Sequence, residues 1–394
     1  MEKIGQHPNT SSVSDSEIQR DAGSTNTGVA KQATGKQLTA IIFILALATK
    51  MFLLPIFLIQ STGRDGYIIL AIYCGVDLIS LVPMLIALRL CDLDFFGLMN
   101  SVLGKVGAKI VVGLIGLFLF FKLNTAVAEI LAFYGTNVFT DFDTTLMIVV
   151  LLVFMAAVGT HTLRAICRLN ELIVPAIVLC LTVLVAIVVM TSFDLANIFP
   201  AVHEPKTFTY GLLKHAAWLG DFTPLVLFVG RTKTKKLTPL FAAGAGVIGT
   251  GLAVFFALVL CAAFGNVPSL VDSTTNLSTI LQYSVGNVYG RLDMFSSIVW
   301  SVATFIESAL FFYCVCRCVA FVIGKNAHTV ISICVCVAVY VVQVFALTDP
   351  MIFSVTVTST VCSIAVPVFT LAIPLLAFIC ALIYKRKSKT GGAK

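Results

Sequence analysis

The sequence predicts an all-α polytopic membrane protein, with about ten transmembrane helices in two halves of five and the first helix of each half broken. Three observations carry this expectation. Mean hydropathy is +1.02, with 59% hydrophobic and only 11% charged residues, against about 25% charged in soluble domains. About ten apolar segments are each long enough to cross roughly 30 Å of hydrocarbon. Two of these are interrupted: the first by Ala48-Thr49-Lys50-Met51-Phe52-Leu53-Leu54-Pro55, the sixth by Trp218-Leu219-Gly220-Asp221-Phe222-Thr223-Pro224.

In chain order, residues 1–36 are rich in Ser, Thr, Asn, Gln and Gly without an apolar period, and are expected to form a disordered cytoplasmic tail. The apolar run that follows lacks a convincing cleavage pattern and is expected to stay as a span. The spans read as 38–60, 66–90, 108–134, 144–160, 171–191, 212–230, 240–264, 292–323, 328–347 and 352–384. The eighth and tenth exceed one crossing and should tilt, kink or run into the interface. Residues 37–385 thus form one membrane domain, with repeats at 37–192 and 210–385, followed by a basic cytoplasmic tail, 386–394. Two connections are more than turns: Phe193 to Tyr210, with Pro200 and Pro205, and Asn266 to Gly290, with an amphipathic patch from Leu277 to Tyr283. Plain loop is expected for both, an external lid being the other reading.

The net charge of +7 does not point to nucleic acid, because the basic residues sit between apolar runs and at the C-terminus, as orientation signals do. With the N-terminus inside, the inner connections collect Arg89, Lys105, Lys109, Arg164, Arg168, Arg231, Lys233, Arg317 and Lys325, among others. The outer side holds only Arg64, Lys206, Lys214 and Arg291, with the acidic turn Asp141-Phe142-Asp143. Both termini are therefore expected in the cytoplasm. The twelve cysteines are spread through apolar runs as packing residues, and Cys316 falls opposite Cys314 and Cys318 on a helix, so the three cannot close a metal site. No histidine has metal-ligand spacing and no phosphate-binding loop occurs, so neither an enzyme nor a cofactor is expected.

Gly220 and Pro224 cannot sustain regular helix, since Pro224 has no N–H to donate back to Gly220. Unpaired backbone inside a bilayer is tolerated only beside protein or a wet cavity, which makes both breaks binding-site candidates. Ionisable residues fall at membrane depth: Lys50, Asp77, Lys122, Glu129, Asp221 and Glu307. Lys122 and Glu129 lie near one helix face but too far apart to pair directly. Lys50 is expected to find its carboxylate on another helix, among Asp221, Glu129 and Glu307. Either these charges cross-brace the bundle, or some line a ligand cavity. In the second case N–H groups freed near Met51 and Phe222 would hold a ligand carboxylate, and an ammonium would sit against carbonyls or Asp221. Trp218, Phe222, Trp300 and Tyr313 are candidate pocket walls.

Broken helices opening each half of five match an inverted-repeat transporter of the LeuT or amino acid/polyamine/organocation (APC) kind. Three motifs narrow the resemblance. Thr162 through Arg164, Arg168 and Glu171 to Pro175 resembles the loop and start of the fifth span in B subunits of spore germinant receptors, the GerAB-type endospore germination permeases. Trp218-Leu219-Gly220-Asp221-Phe222 resembles their sixth-span break, and Gly290-Arg291-Leu292-Asp293 through Trp300 the start of their eighth span. The resemblance implies an APC-superfamily fold, the spore inner membrane, and a nutrient-binding subunit that works with larger A and lipoprotein C subunits. It places the ligand at Leu219 and Gly220, at Thr49 to Met51, and at Glu129, with the nutrient most simply an amino acid. A proton- or cation-coupled amino acid permease, with Lys50 or Glu129 as coupling group, is the alternative. The first-span break departs from the glycine-rich pattern of many superfamily members by carrying the cation Lys50.

Overall fold

The computed structural model describes residues 33–51, 53–137, 144–160, 162–192, 194–199, 205–233, 235–264, 292–324, 327–347 and 350–391. The chain begins α1 (Gly35–Leu47) with a reciprocal cap, in which Thr34 Oγ1 accepts from Gln37 N–H and Gln37 Oε1 accepts from Thr34 N–H. Then follow α2 (Leu53–Thr62), α3 (Gly66–Leu90), α4 (Phe95–Asn137), α5 (Thr144–Gly159), α6 (Leu163–Ser192) and α7 (Pro205–Lys214). Short 3-10 turns at Ala216–Trp218 and Thr223–Phe228 lead to α8 (Thr238–Phe264), α9 (Leu292–Ile323), α10 (His328–Val342), α11 (Pro350–Val357) and α12 (Thr360–Gly391).

Among the described residues, seven segments are long and apolar enough to cross a membrane, and three shorter apolar ones, Gly35–Leu47, Thr144–Ala157 and Ala216–Phe228, stand beside them. The 38-residue segment Leu53–Leu90 turns at Gly63–Asp65, so α1 and α2 are the halves of span one and α3 is span two. Span six is likewise α7 plus the 3-10 helix Thr223–Phe228.

Burial follows from position in the bundle. The apolar window of α9 is 72% buried, whereas those of α6 and α10 are 28% buried, which puts α9 at the centre and α6 and α10 at the periphery. α4 packs along α9, α1 against α6 and α8, and α3 between α8 and α12. The 3-10 helix of span six touches α3, α4, α9 and α12, so the break has protein on every one of those sides. Outward-facing apolar residues such as Leu172, Met190 and Val361 give the surface expected against lipid.

Several boundaries differ from the sequence reading. Residues 33–36, assigned to the tail, form a two-residue strand β1 (Ala33–Thr34) and the first turn of α1. β1 pairs in parallel with β2 (Thr232–Lys233), tying the start of span one to the end of span six. Span six starts at Pro205, where a proline is accommodated at the first helical position, so 205–210 are helix rather than connection. Helix also extends ahead of span three, from Phe95 to a bend at Gly104 (φ 74, ψ 172). α6 begins at Leu163, ahead of the expected start. Span ten is interrupted at Thr358-Ser359, and the Ser359 hydroxyl caps the restart by accepting from Cys362 N–H at 3.3 Å. Residues 1–32, the turn Asp141-Phe142-Asp143, the patch Leu277 to Tyr283 and the pair Gly290-Arg291 lie outside the described residues.

Candidate functional site

Proline sets the restart of both broken spans. Pro55 sits in the first turn of α2, and Pro224 near the start of the 3-10 helix; in each place the missing N–H would have had no helical partner. Upstream of Pro55, α1 stops at Leu47 and the chain turns through Ala48 to Met51. There the Ala48 carbonyl accepts from Trp300 Nε1–H at 2.9 Å. In span six, Leu219 is extended and Gly220 takes φ 96. A Cβ at Gly220 would lie 2.7 Å from Thr370 Oγ1 and 3.0 Å from Phe118 Cζ, so the position excludes side chains on two counts. Thr223 Oγ1–H donates to Gly220 O at 2.6 Å and closes the kink.

The two breaks are joined by charge. Lys50 Nζ contacts Asp77 Oδ2 at 2.9 Å and also pairs with Asp221 Oδ2. Lys122 Nζ reaches Asp221 Oδ1 at 2.8 Å, and Thr49 Oγ1–H donates to Asp221 Oδ2 at 2.7 Å. Gly220 N–H, one of the amides freed by the kink, donates to Asp77 Oδ1 at 3.0 Å. Spans one, two, three and six are thereby cross-linked by two lysines and two aspartates, at most 3% exposed. Burial of such ions is tolerable only with this density of partners.

Asp77 is an intramembrane charge in the sequence but not among the expected partners of Lys50, and Asp221 is only one of the two carboxylates that Lys50 meets. Both oxygens of Asp221 already face partners, Oδ2 with Lys50 and Thr49 and Oδ1 with Lys122, so a ligand ammonium there would have to share them. Nor is the Gly220 amide bare.

Glu129 and Glu307 differ. Both are 0% exposed, and none of their carboxylate oxygens has a hydrogen-bond partner among the described residues. They lie within electrostatic reach of one another and of Lys50, Lys122 and Asp221. The two lysines and two aspartates balance on their own, so Glu129 and Glu307 are two carboxyls in excess.

The remaining sequence-derived residues divide. Trp300 stacks edge-on against Phe133, with ring centroids 5.0 Å apart, and holds the first break as described. Met51, Leu219 and Phe222 are buried in the breaks, and Trp218 packs on Phe57 at 6.1 Å, its Nε1–H without an acceptor among the described residues. Tyr313 is not with them: its hydroxyl accepts from Arg231 Nη1–H at 3.2 Å, beyond the end of span six, where Arg231 also meets Asp94 at 3.3 Å. Asp77 and Lys122 are the site residues that the sequence-derived set leaves out. The signal available for them was their charge at membrane depth.

Comparison with known proteins places this geometry. The profile of the family described as spore germination protein matches residues 32–351. No curated protein matches the chain. Among solved structures, Mhp1, a nucleobase-cation-symport-1 family transporter in a closed conformation with bromovinylhydantoin bound, superposes with a TM-score of 0.56 at 14% identity, covering 91% of this chain and 94% of that one. The Eremococcus coleocola manganese transporter, in complex with an aromatic bis-isothiourea substituted compound, gives a TM-score of 0.50 at 10% identity over 89% of this chain and 77% of that one. The fold is therefore the LeuT-type arrangement of two five-helix repeats with broken first and sixth helices.

Proposed function

This chain belongs to the spore germination protein family, a permease-like membrane protein by family and fold, and from that premise we propose that it is the nutrient-binding subunit of a spore germinant receptor. The nutrient is an amino acid, held between the breaks of spans one and six and the facing carboxyls of spans three and eight. The observation that carries the reading is the pair Glu129 and Glu307, buried and without hydrogen-bond partners beside a charge cluster that already balances. A ligand ammonium supplies the missing donors. The ligand carboxylate competes with Asp221 for Lys122, loosening the tie between span three and the sixth-span break, and this differential contact is what biases the bundle toward its signalling state. The protein acts in the spore inner membrane, both termini cytoplasmic, with germinant receptor A and C subunits as partners.

The test is thermal unfolding of the purified chain in the presence of amino acids, sugars and nucleosides. At least one amino acid should raise Tm, and Glu129→Gln or Glu307→Gln should weaken that response about tenfold or more, the worth of one charge-assisted contact. No stabilisation by any amino acid would remove the nutrient reading; a full response in both variants would remove the site. The same two carboxyls also favour a second reading, a proton-coupled amino acid permease, since a buried carboxyl without fixed partners can exchange a proton. Net uptake of a labelled amino acid into vesicles, driven by a pH gradient and lost in Glu129→Gln, would decide for transport.

A further inference from the structure

A second concentration of charge lies away from the breaks. A recess of about 420 Å³ is lined by Asn100, Lys105, Lys109, Arg231 and Arg317, with Asp94 as its one carboxylate. Four cations and one anion leave a formal excess of three positive charges. Sequence and backbone bring them together. Lys105 and Lys109 are one helical turn apart and leave the same face of α4, and the bend at Gly104 lets Asn100, before it, and Lys105, after it, line one recess. Arg231 is held by Asp94 at 3.3 Å and the Tyr313 hydroxyl at 3.2 Å, with the Phe96 ring 5.7 Å from its guanidinium carbon. Arg317 Nη1 stands 3.4 Å from His328 Nε2. Lys105 and Lys109 are exposed, and neither pairs with a carboxylate among the described residues.

Orientation in the membrane accounts for basic residues on this side of the bundle, but an orientation signal acts by number and side and has no need to converge. Convergence of like charges in a concavity is repulsive unless an anion neutralises it. The volume falls in the range of small-ligand pockets, roughly 300–1,000 Å³, and basic hollows between membrane helices on the cytoplasmic side suit phosphate-bearing headgroups.

We propose that this recess binds a phosphate group, carried by an anionic phospholipid or free as inorganic phosphate, with Lys105, Lys109 and Arg317 on the phosphate oxygens. Arg231 is shared between the phosphate and Asp94. Because Arg231 follows the 3-10 helix of span six by three residues, occupancy acts on the end of the broken span. The site is independent of the nutrient reading and stands or falls separately.

The experiment uses the full chain in phosphatidylcholine nanodiscs, with and without phosphatidylglycerol, and with inorganic phosphate against chloride at matched ionic strength. Tm should rise with one or both probes. Lys105→Gln/Lys109→Gln should weaken the response about thirtyfold, from two basic contacts, while Lys105→Arg/Lys109→Arg retains it and Lys385→Gln/Lys387→Gln, exposed near the end of α12, leaves it unchanged. A rise with phosphatidylglycerol alone assigns the site to lipid, and a rise with phosphate in pure phosphatidylcholine to the free anion. No rise with either probe, or an equal rise in Lys105→Gln/Lys109→Gln, overturns the proposal.

Discussion

Lys50, Asp77, Lys122, Glu129, Asp221 and Glu307 are all buried in this bundle, and the distinction that matters among them is whether their partners are built in. Asp221 is caught between two lysines and a threonine hydroxyl, so Asp221→Ala strands Lys122 in the interior and leaves Lys50 with Asp77 alone. Breaking one buried pair this way costs about 3–5 kcal/mol. The expected outcome is a large fall in Tm and in folded protein recovered from the membrane, and loss of a nutrient response in that variant would therefore say little about ligand contact. Glu129→Gln and Glu307→Gln remove no bond among the described residues, and should unfold at or above the wild-type temperature. Wild-type stability in Asp221→Ala would mean that the lysines do not depend on it, and the four-membered charge cluster would have to be abandoned.

At the scale of the element, the breaks are carried by local chain chemistry and the pairings are not. Pro55, Gly220 and Pro224 announce interruptions because each acts on its own backbone, and both breaks fall within a few residues of them. The restart of span six as a 3-10 helix, by contrast, depends on the packing around it. Lys50 finds Asp77 and Asp221 because three helices turn particular faces to one another, which spacing along the chain does not encode. Lys122 shares a helix with Glu129, yet its partner stands on span six. Tyr313 follows Glu307 by six residues on α9, about 9 Å along a helix axis, and so reaches Arg231 instead of the charge cluster. The basic recess was readable only as scattered orientation charges, since the bend at Gly104 that gathers them leaves no pattern beyond a glycine. The kink in span six has its own test. Gly220→Ala puts a Cβ against Thr370 and Phe118 at a positive φ, a strain of about 1–3 kcal/mol. Tm should fall accordingly, whereas Gly244→Ala, inside α8 where a Cβ meets nothing within 4 Å, should hold or raise it, since alanine favours helix over glycine by about 1 kcal/mol. Equal Tm values for the two variants would place no special demand on the kink.

For the whole molecule, the question is how the proposed exchange of charge partners becomes a movement of the broken spans. The broken spans are linked by the lysine–aspartate cluster at mid-depth, by the pairing of Thr34 with Lys233 at one end, and between α2 and span six by His215 Nε2 on Ser61 Oγ at 3.1 Å. If a ligand loosens the cluster, the other links decide whether spans one and six separate or only flex, and the strand pair is the one that can be locked. Paired strands lie about 4.8 Å apart, within the range of roughly 4.4–6.8 Å that a disulfide spans between Cα atoms. Thr34 and Lys233 are both exposed to oxidant. Thr34→Cys/Lys233→Cys should therefore cross-link on oxidation, with a modest loss of about 1 kcal/mol for the missing cap on α1. If signalling requires the strand pair to open, the oxidised protein still binds the amino acid but loses the germination response, and reduction restores it. A response that survives full cross-linking, measured against reduced protein and against Thr34→Cys alone, would mean that the two ends stay together and that the change passes through spans three and eight.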